Sequence, residues 1–215
     1  MIIFGIRSPF VIEIEETLGR LGVAIEAGIS VNGTPRLLER GKIVELDSYE
    51  PQEGAHFITA AFSPKRRREL TGQAKALGLV PAPALVDPTA ILPKSLRIGA
   101  GTFVNAGAVI GGMSMIGEGV LVNRAASVGH HCIIGDMVSI GPGATLASNI
   151  QVGANSVIGA GAVILPDVRI GNDVVIAAGS VVRKPVEDGA LVSGNPAVAK
   201  SFKPRRSSLN VENAE

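Results

Sequence analysis

The chain has 215 residues, of which 46% are hydrophobic and only 3% aromatic, with 27 Gly and no Trp. A core of this composition must be built from Val, Ile, Leu and Ala, and the many glycines indicate a repetitive, thin-walled architecture. The formal charge of +1 gives no electrostatic reason to expect nucleic acid as a partner.

The sequence carries no signal for a membrane or for secretion. No apolar run approaches the roughly 20 residues of a transmembrane helix. Residues 1–20 include Arg7, Glu13, Glu15 and Glu16, which interrupt the apolar core that a signal peptide needs. The single cysteine, Cys132, cannot form an internal disulfide, which is typical of a reducing compartment. We therefore expect a soluble, cytoplasmic protein with no membrane partner.

Residues 1–82 are predicted to form a small α/β domain. Segments with the spacing of strands alternate with segments that have the spacing of helices, which is typical of a small parallel, Rossmann-like sheet. Ser63 and Pro64 suit an N-cap and a first helical position, and Gly78 is a stop signal. The predicted strands are 1–5, 23–29, 57–61 and 79–81, and the predicted helices are 10–21 and 64–77.

Residues 83–187 contain a six-residue repeat with no insertion. From Val86 to Val182 every sixth residue is Val, Ile or Leu, and the residue four places later is always small or aliphatic. A period of six matches neither a helix nor a simple strand alternation. Three short strands, one per hexad, make a triangular coil of 18 residues, and stacked coils bury the aliphatic positions. We therefore predict a left-handed parallel β-helix of hexapeptide repeats.

The repeat also predicts the corners and outer faces of this coil. Gly follows the aliphatic residue in nine hexads, where we expect the chain to turn a tight corner. Residues 86–187 carry only six Lys or Arg and six Asp or Glu, which indicates faces that pack against neighbouring subunits. Beyond the coil, residues 188–202 are expected to cap its open end, and the polar tail 203–215 is expected to be disordered.

A family resemblance is carried by three parts of the chain: VNRAASVGHHCIIGD at 122–136, SGNPA at 193–197 and the α/β domain that precedes the coil. Together they resemble the NeuD/PglD-like sugar acyltransferases, which include sialic-acid O-acetyltransferases and N-acetyltransferases of nucleotide-linked amino sugars. The resemblance covers nearly the whole chain. It implies a homotrimer that binds acetyl-CoA along the coil between two subunits. It also implies that the N-terminal domain holds the nucleotide of the sugar donor.

The resemblance assigns roles to residues of the coil. His130 occupies the position of the catalytic base, and Asn123 occupies that of an asparagine near the base. The carboxylate that follows this histidine in relatives is replaced here by His131. We further assign Ser139, Ser148 and Gly159, which lie along the coil, to the binding of acetyl-CoA.

The hexad register bears on the same residues. His130 lies outside the two buried positions of its hexad, so it should point outward, and imidazole is the usual general base near neutral pH. His131 should face away from it, and three roles stay open for His131: a group that orients His130, a contact with CoA, or an exposed residue without a function. Asn123 stacks on Asn105, so an asparagine ladder is an equally good interpretation. Cys132 is inward and is interpreted as a small buried hydrophobe.

The turn after the first strand departs from the family. Relatives have a glycine-rich G-x-G-G-x-G turn, whereas this chain reads GIRSPF at 5–10, which cannot cradle a phosphate in the same way. We expect Gly5, Arg7 and Ser8 to bind the substrate instead. The basic run at 65–68 is either a solvated helical face or a contact with a substrate phosphate or carboxylate.

The predicted function is acetyl-CoA-dependent N-acetylation of a nucleotide-linked amino sugar, and sugar O-acetylation on the same fold is the alternative. A metal-dependent β-helix enzyme of the γ-carbonic-anhydrase type needs three histidine ligands. The chain has His56 outside the coil and only the adjacent pair His130 and His131 within it, so no metal is expected. A trimeric scaffold without catalysis is a further possibility.

Overall fold

A computed structural model of the protein describes residues 1–200. Residues 201–202 of the expected cap, and the tail 203–215 for which disorder is expected, lie outside the described residues. No helix in the described part of the chain is both long enough and apolar enough to cross a membrane.

The N-terminal domain is a five-stranded, fully parallel sheet with two helices, which confirms the predicted Rossmann-like architecture. Its elements are β1 Ile2–Phe4, α1 Val11–Leu21, β2 Ala27–Ser30, β3 Ile43–Glu45, β4 His56–Thr59, α2 Pro64–Ala76 and β5 Val80–Pro81, with 3-10 turns at Arg40–Lys42 and Leu46–Ser48. The strand order is β3-β2-β1-β4-β5, so the direction of strand addition reverses between β1 and β4. In open α/β sheets, ligands bind beyond the carboxyl ends of the strands at such a reversal.

Observed and predicted bounds differ where local contacts override the pattern. Ser63 is the N-cap of α2 as predicted, and its hydroxyl accepts from the amide of Arg66 at 3.5 Å. β2 begins at residue 27 rather than 23, because the amide of Val23 donates to the carbonyl of Leu18 and still belongs to the end of α1. β3 is absent from the prediction because a three-residue edge strand is too short to show an alternation.

The repeat folds into a triangular β-helix of three parallel sheets, which confirms the predicted fold. Strands 18 residues apart stack on one another, so that Leu121 pairs with Phe103 below and Ser139 above. We name the three sheets the docking, second and third faces. The docking face comprises Leu85–Val86, Phe103–Val104, Leu121–Val122, Ser139–Ile140, Val157–Ile158 and Val175–Ile176; the second face Val109–Ile110, Ser127–Val128, Thr145–Leu146, Val163–Ile164 and Val181–Val182; the third face Arg97–Ile98, Met115–Ile116, Ile133–Ile134, Gln151–Val152 and Arg169–Ile170.

An antiparallel hairpin continues the docking face at its C-terminal end. Its strands are Leu191–Gly194 and Ala197–Lys200, and the first pairs in parallel with Val175–Ile176. Val192 is buried against the last coil, so the hairpin covers part of the aliphatic core.

The corners of the coil bend at the fourth position of each hexad, counted from the aliphatic residue. Fourteen successive fourth positions, from Gly101 to Gly179, have φ between 53° and 69°. The second-position glycines stand at the corners as expected, but the left-handed conformation belongs to the fourth position. Among the described residues those glycines have no positive φ; instead, a Cβ at Gly111 would lie 2.5 Å from the amide nitrogen of His130. They are needed because adjacent coils approach too closely for a side chain.

The two restricted positions of each hexad point inward and build the core. Val128 and Cys132 are 2% and 0% exposed. Some inward positions are polar, and their hydroxyls are satisfied within the coil: Ser114 donates to the carbonyl of Gly129 at 3.0 Å and accepts from the amide of Cys132 at 3.1 Å. A narrow aliphatic core therefore tolerates small hydroxyl residues because each finds a backbone partner.

The N-terminal domain packs on the docking face. Phe103 and Leu121 project from that face and join the buried cluster beneath α1, where Phe10 makes an edge-to-face contact with Phe103 at 5.9 Å between ring centroids. Both coil residues are only 2% exposed. Strand residues that would otherwise be an apolar outer surface thus become part of a second core.

Arg67 of α2 fastens the two parts together from a fully buried position. Its guanidinium donates to the carbonyls of Ala61 and Phe62 in its own domain and to those of Gly119, Met137 and Val138 and the Ser139 hydroxyl in the coil, at 2.6–3.1 Å. Burial lowers the pKa of Arg67 to about 9, so the group stays cationic at neutral pH. Carbonyl and hydroxyl oxygens, rather than a carboxylate, satisfy this buried charge.

Asp87 fastens α1 to the first coil. Its buried carboxylate accepts from the hydroxyls of Thr17 at 2.8 Å and Thr89 at 2.6 Å, and Arg20 lies 2.6 Å away. Burial alone raises the pKa of Asp87, but the hydrogen bonds from Thr89, Arg20 and Thr17 outweigh burial and lower the pKa to about 2.

Asp87→Asn is expected to lower the free energy of unfolding at neutral pH by about 1–3 kcal/mol, because hydrogen bonds to a charged acceptor are lost. A carboxylate with a depressed folded-state pKa contributes stability above its unfolded value, near 3.8, and loses it as the pH falls towards 2. The deficit measured by chemical denaturation should therefore shrink as the pH is lowered from 7 to 3. Asp47→Asn, at an exposed site, is the control and should change nothing. A deficit that is the same at both pH values contradicts this account.

Candidate active site

His130 and His131 lie at the corner between the second and third faces, which we call the histidine corner (residues 129–132). The strand Ser127–Val128 leads into it and Ile133–Ile134 leads out. Backbone bonds to the neighbouring coils fix its level: the amide of His131 donates to the carbonyl of Gly112, and the carbonyl of His130 accepts from the amide of Asn149, both at 3.0 Å. Both imidazoles are exposed, as predicted for His130.

The two imidazoles form a pair. Their Nδ1 atoms are 2.9 Å apart, and the rings meet edge to face at 87° with centroids 5.1 Å apart. The expectation that His131 faces away from His130 is wrong. His131 occupies the fourth position of its hexad with φ 57°, and this left-handed backbone swings its side chain back towards its neighbour instead of across the strand.

Asn123 lies at a different corner, between the docking and second faces, which we call the asparagine corner. Its side-chain carbonyl accepts from the amide group of Asn105 at 3.1 Å and from the backbone of Arg124 at 2.8 Å. Asn105 also donates to Glu13 of α1 at 3.1 Å. The predicted asparagine ladder is therefore present, and within one chain the second face separates Asn123 from His130.

An open cleft of about 680 Å³ lies in the N-terminal domain where β1 and β4 end. This is the point at which the strand order reverses, the expected ligand position in a sheet of this kind. Gly5, Arg7 and Ser8, the predicted substrate residues, all line it, and none of its lining residues is acidic. The lining residues are Gly5, Arg7, Ser8, Pro9, Ala60, Ala61, Phe62, Ser63, Arg66 and Leu70.

Two arginines give the cleft its charge. The Arg7 guanidinium is exposed and lies against Gly33, where a Cβ would be 3.5 Å from its Cζ. Arg66 is half-buried and shares its charge with Glu69 at 3.2 Å. Ser8 is partly committed to structure, because its hydroxyl accepts from the amide of Phe10 at 3.3 Å. The cleft therefore presents positive charge without a phosphate-cradling loop.

The basic run at 65–68 divides by helix register. Lys65 and Arg68 are exposed, Arg66 lines the cleft, and Arg67 is the buried residue that joins the N-terminal domain to the coil. The buried residues of α2 are Pro64, Arg67, Leu70 and Ala74, spaced as one helical face. Neither interpretation of the run anticipates Arg67, although this spacing is the signal that marks it.

Comparison with known proteins decides the family. Residues 149–184 match the model described as bacterial transferase hexapeptide, six repeats. The acetyltransferase domain of PglB from Neisseria gonorrhoeae, solved with acetyl coenzyme A, is 32% identical with a TM-score of 0.80, and the match covers 93% of this chain and 97% of that one. The chain belongs to the hexapeptide-repeat acetyltransferase family.

Two other solved structures are similar over the same length. A mutant of perosamine N-acetyltransferase from Caulobacter crescentus, in complex with CoA and GDP-perosamine, is 28% identical with a TM-score of 0.85, covering 94% of this chain and 96% of that one. WeeI from Acinetobacter baumannii is 25% identical with a TM-score of 0.81, covering 93% and 98%. Comparison with curated protein sequences gives no match.

The coil residues assigned to acetyl-CoA lie apart in this acetyltransferase. Ser148 is half-buried directly above His130, one coil further on. Ser139 is fully buried, and its hydroxyl donates to the carbonyl of Phe62 at 2.6 Å and accepts from Arg67 at 3.0 Å, so the geometry gives it a structural role between the domains. Gly159 lies along the asparagine corner, where a Cβ would be 2.4 Å from the amide nitrogen of Ala178.

The cleft and the histidine pair lie on opposite sides of the coil. Contacts from the N-terminal domain reach the docking face at Phe103 and Leu121, the asparagine corner at Arg124 and the remaining corner at Met137. In a three-sided coil these two corners flank the docking face, so the histidine corner is opposite to it. One chain of this acetyltransferase therefore does not bring the cleft and His130 together.

Proposed function

We propose that this acetyltransferase moves an acetyl group from acetyl-CoA to the amine of a nucleotide-linked amino sugar, with His130 as the general base. The observation that carries the proposal is the exposed histidine pair at one corner of the coil. Relatives at 28% and 32% identity are solved with CoA and GDP-perosamine and with acetyl coenzyme A.

The chemistry needs one proton acceptor at the corner. The amine nitrogen attacks the thioester carbonyl, a C–N bond forms, and His130 takes the proton that the nitrogen loses. The C–S bond of the tetrahedral intermediate then breaks, and His130 returns the proton to the CoA thiolate as it leaves. Among residues 1–200, no three His, Cys, Asp or Glu side chains are grouped closely enough to hold a metal ion.

The cleft supports a nucleotide-linked substrate. Arg7 and Arg66 supply two cations where a diphosphate needs them, and the reversal point of the sheet is a regular nucleotide position. Ser8 and the backbone of Gly5 complete the floor of the proposed site. The Caulobacter relative is a perosamine N-acetyltransferase solved with GDP-perosamine, and N-acetylation in that relative favours an amine over a hydroxyl as the acceptor here.

A homotrimer accounts for the separation of the cleft from His130. In the proposed assembly the cleft of one subunit faces the histidine corner of its neighbour, and CoA lies between them against Ser148, with Gly159 contributed from the neighbouring coil. The outward residues of the second face, Val109, Ser127, Thr145, Val163 and Val181, are small and uncharged, as a subunit contact requires. Met113 and Ile133, 62% and 47% exposed beside the histidines, supply apolar surface for the same contact.

His130→Ala is expected to lower kcat by roughly 10²–10⁴, the usual contribution of a positioned general base. The side chain is exposed, so its removal opens no core cavity and the fold should be kept. Acetyl-CoA consumption measures the rate, and calorimetric titration with CoA should give an unchanged Kd. Retention of wild-type kcat would remove His130 from the mechanism.

A panel of acceptors tests the substrate. Amino-sugar nucleotides should be acetylated, whereas sialic acid and free sugars should not, because the latter lack the diphosphate that the arginines bind. Arg7→Ala should raise KM for the nucleotide sugar by about 10-fold or more with little change in kcat, while Arg68→Ala, on the exposed side of α2, serves as the control. Acetylation of a sugar hydroxyl with an unaffected KM in Arg7→Ala would favour the O-acetyltransferase alternative.

Light scattering should give a mass about three times the 22.0 kDa of the chain. Mixed trimers provide a sharper test, because a site built by two subunits can combine an intact cleft with an intact histidine. After co-refolding of His130→Ala chains with Arg7→Ala/Ser8→Ala chains at equal amounts, about a quarter of the sites should be intact. The assay uses nucleotide sugar well below the wild-type KM, where the raised KM of the cleft variant makes it slow on its own. Activity no higher than that of the separate variants would mean that each site lies within one subunit.

A further inference from the structure

We propose that His131 is a positioning residue that fixes the tautomer of His130. The neutral His131 imidazole accepts a hydrogen bond from His130 and so orients the base. The inference rests on the proposed role of His130. It starts from the 2.9 Å separation of the two Nδ1 atoms.

That separation requires one hydrogen between the two nitrogens. A neutral imidazole carries its proton on one nitrogen and a lone pair on the other, so one ring donates from Nδ1 and the other accepts at Nδ1. If His130 donates, its Nε2 has a free lone pair that can take a proton from the substrate. His131 then accepts at Nδ1 and carries its own proton on Nε2.

The bond strengthens as the reaction proceeds. When His130 Nε2 takes the substrate proton, the ring becomes an imidazolium and its Nδ1–H bond to His131 becomes a charge-assisted hydrogen bond, stronger than the neutral one. The acceptor, His131, stays neutral and takes up no proton in that step.

No charged side chain of the adjacent coils lies beside either Nδ1. The coils directly above and below present no titratable side chain at this corner, and the charged residues along it and its flanking third face lie two coils away, about 10 Å at the stacking distance of a parallel sheet. The residues in the adjacent coils are Gly112, Met113, Ser148 and Asn149, and the charged residues two coils away are Lys94, Arg97, Asp167 and Arg169.

The fold itself supplies matched substitutions. Position 131 has a left-handed φ, a region in which Asn, Asp and His are the enriched non-glycine residues, and the equivalent positions of the next two coils are Asn149 and Asp167. His131→Asn keeps an acceptor without a charge, His131→Asp keeps an acceptor with a charge, and His131→Ala removes the acceptor.

The tautomers can be measured without any substrate. The chain has three histidines, so ¹⁵N-histidine labelling gives three imidazole patterns, with exposed His56 as the internal reference and the single histidine variants as assignments. We expect the Nδ1–H form at His130 and the Nε2–H form at His131 in the wild-type protein. His131→Asn should keep the Nδ1–H form at His130, and His131→Ala should return His130 to the pattern of His56.

Kinetics give the second readout. His131→Ala should lower kcat/KM roughly 10–100-fold, the usual effect of removing an orienting partner, and His131→Asn should restore most of it. His131→Asp should move the acid limb of the pH–rate profile to higher pH, because a carboxylate stabilises protonated His130 and the base form then appears only at higher pH.

Two outcomes overturn the proposal. One is a wild-type spectrum with Nδ1–H on His131 and Nε2–H on His130, which makes His131 the ring with the free outer lone pair. The other is a His131→Ala variant whose His130 tautomer and pH profile match the wild type. If no sugar of any kind is acetylated, the proposed function fails, whereas the tautomer measurement still decides the inference about the pair.

Discussion

The left-handed backbone at the fourth position of every hexad is the constraint on which the rest of the structure depends. It closes each coil in 18 residues, and only an unbroken 18-residue register lets strands such as Leu121–Val122 find their partners above and below. For residues other than glycine, this left-handed conformation costs roughly 1–3 kcal/mol. Met137 and His131 adopt it nonetheless, because their amides are held by carbonyls of the coil below. The left-handed backbone that closes the coil therefore also directs the His131 side chain towards His130.

The period of six makes the coil predictable, because the pattern depends on residue size and not on how individual side chains pack. The direction of a side chain at a corner cannot be predicted in this way. His131 resembles any surface residue in sequence, and its contact with His130 follows from a φ that neighbouring coils impose rather than from its own preference. Asn123 is ambiguous in sequence for a related reason, since a ladder and a catalytic contact both call for an asparagine at a corner. The bond to Asn105 shows that the ladder is present.

The burial of Arg67 cannot be predicted from local sequence alone. Helix periodicity places it on the buried face of α2 together with Leu70 and Ala74, yet a run of four basic residues is typical of a solvated surface. Its burial is stable because acceptors 52 to 72 residues away converge on it. Such convergence is a property of the docked domains, and it also explains why Ser139, at a position that suits a ligand contact in sequence, is spent on holding the domains together.

Arg67 is synthesised before most of the acceptors that it binds. A ribosome completes α2 well before the coil, and Arg67 has to wait about 72 residues for its last acceptor at Ser139, roughly 4–14 s at usual rates of synthesis. During that interval the nascent N-terminal domain carries a cation aimed at partners that do not yet exist and an apolar surface that Phe103 and Leu121 have still to cover. The buried contacts of the α/β domain are thus completed only by the coil that follows it in the chain.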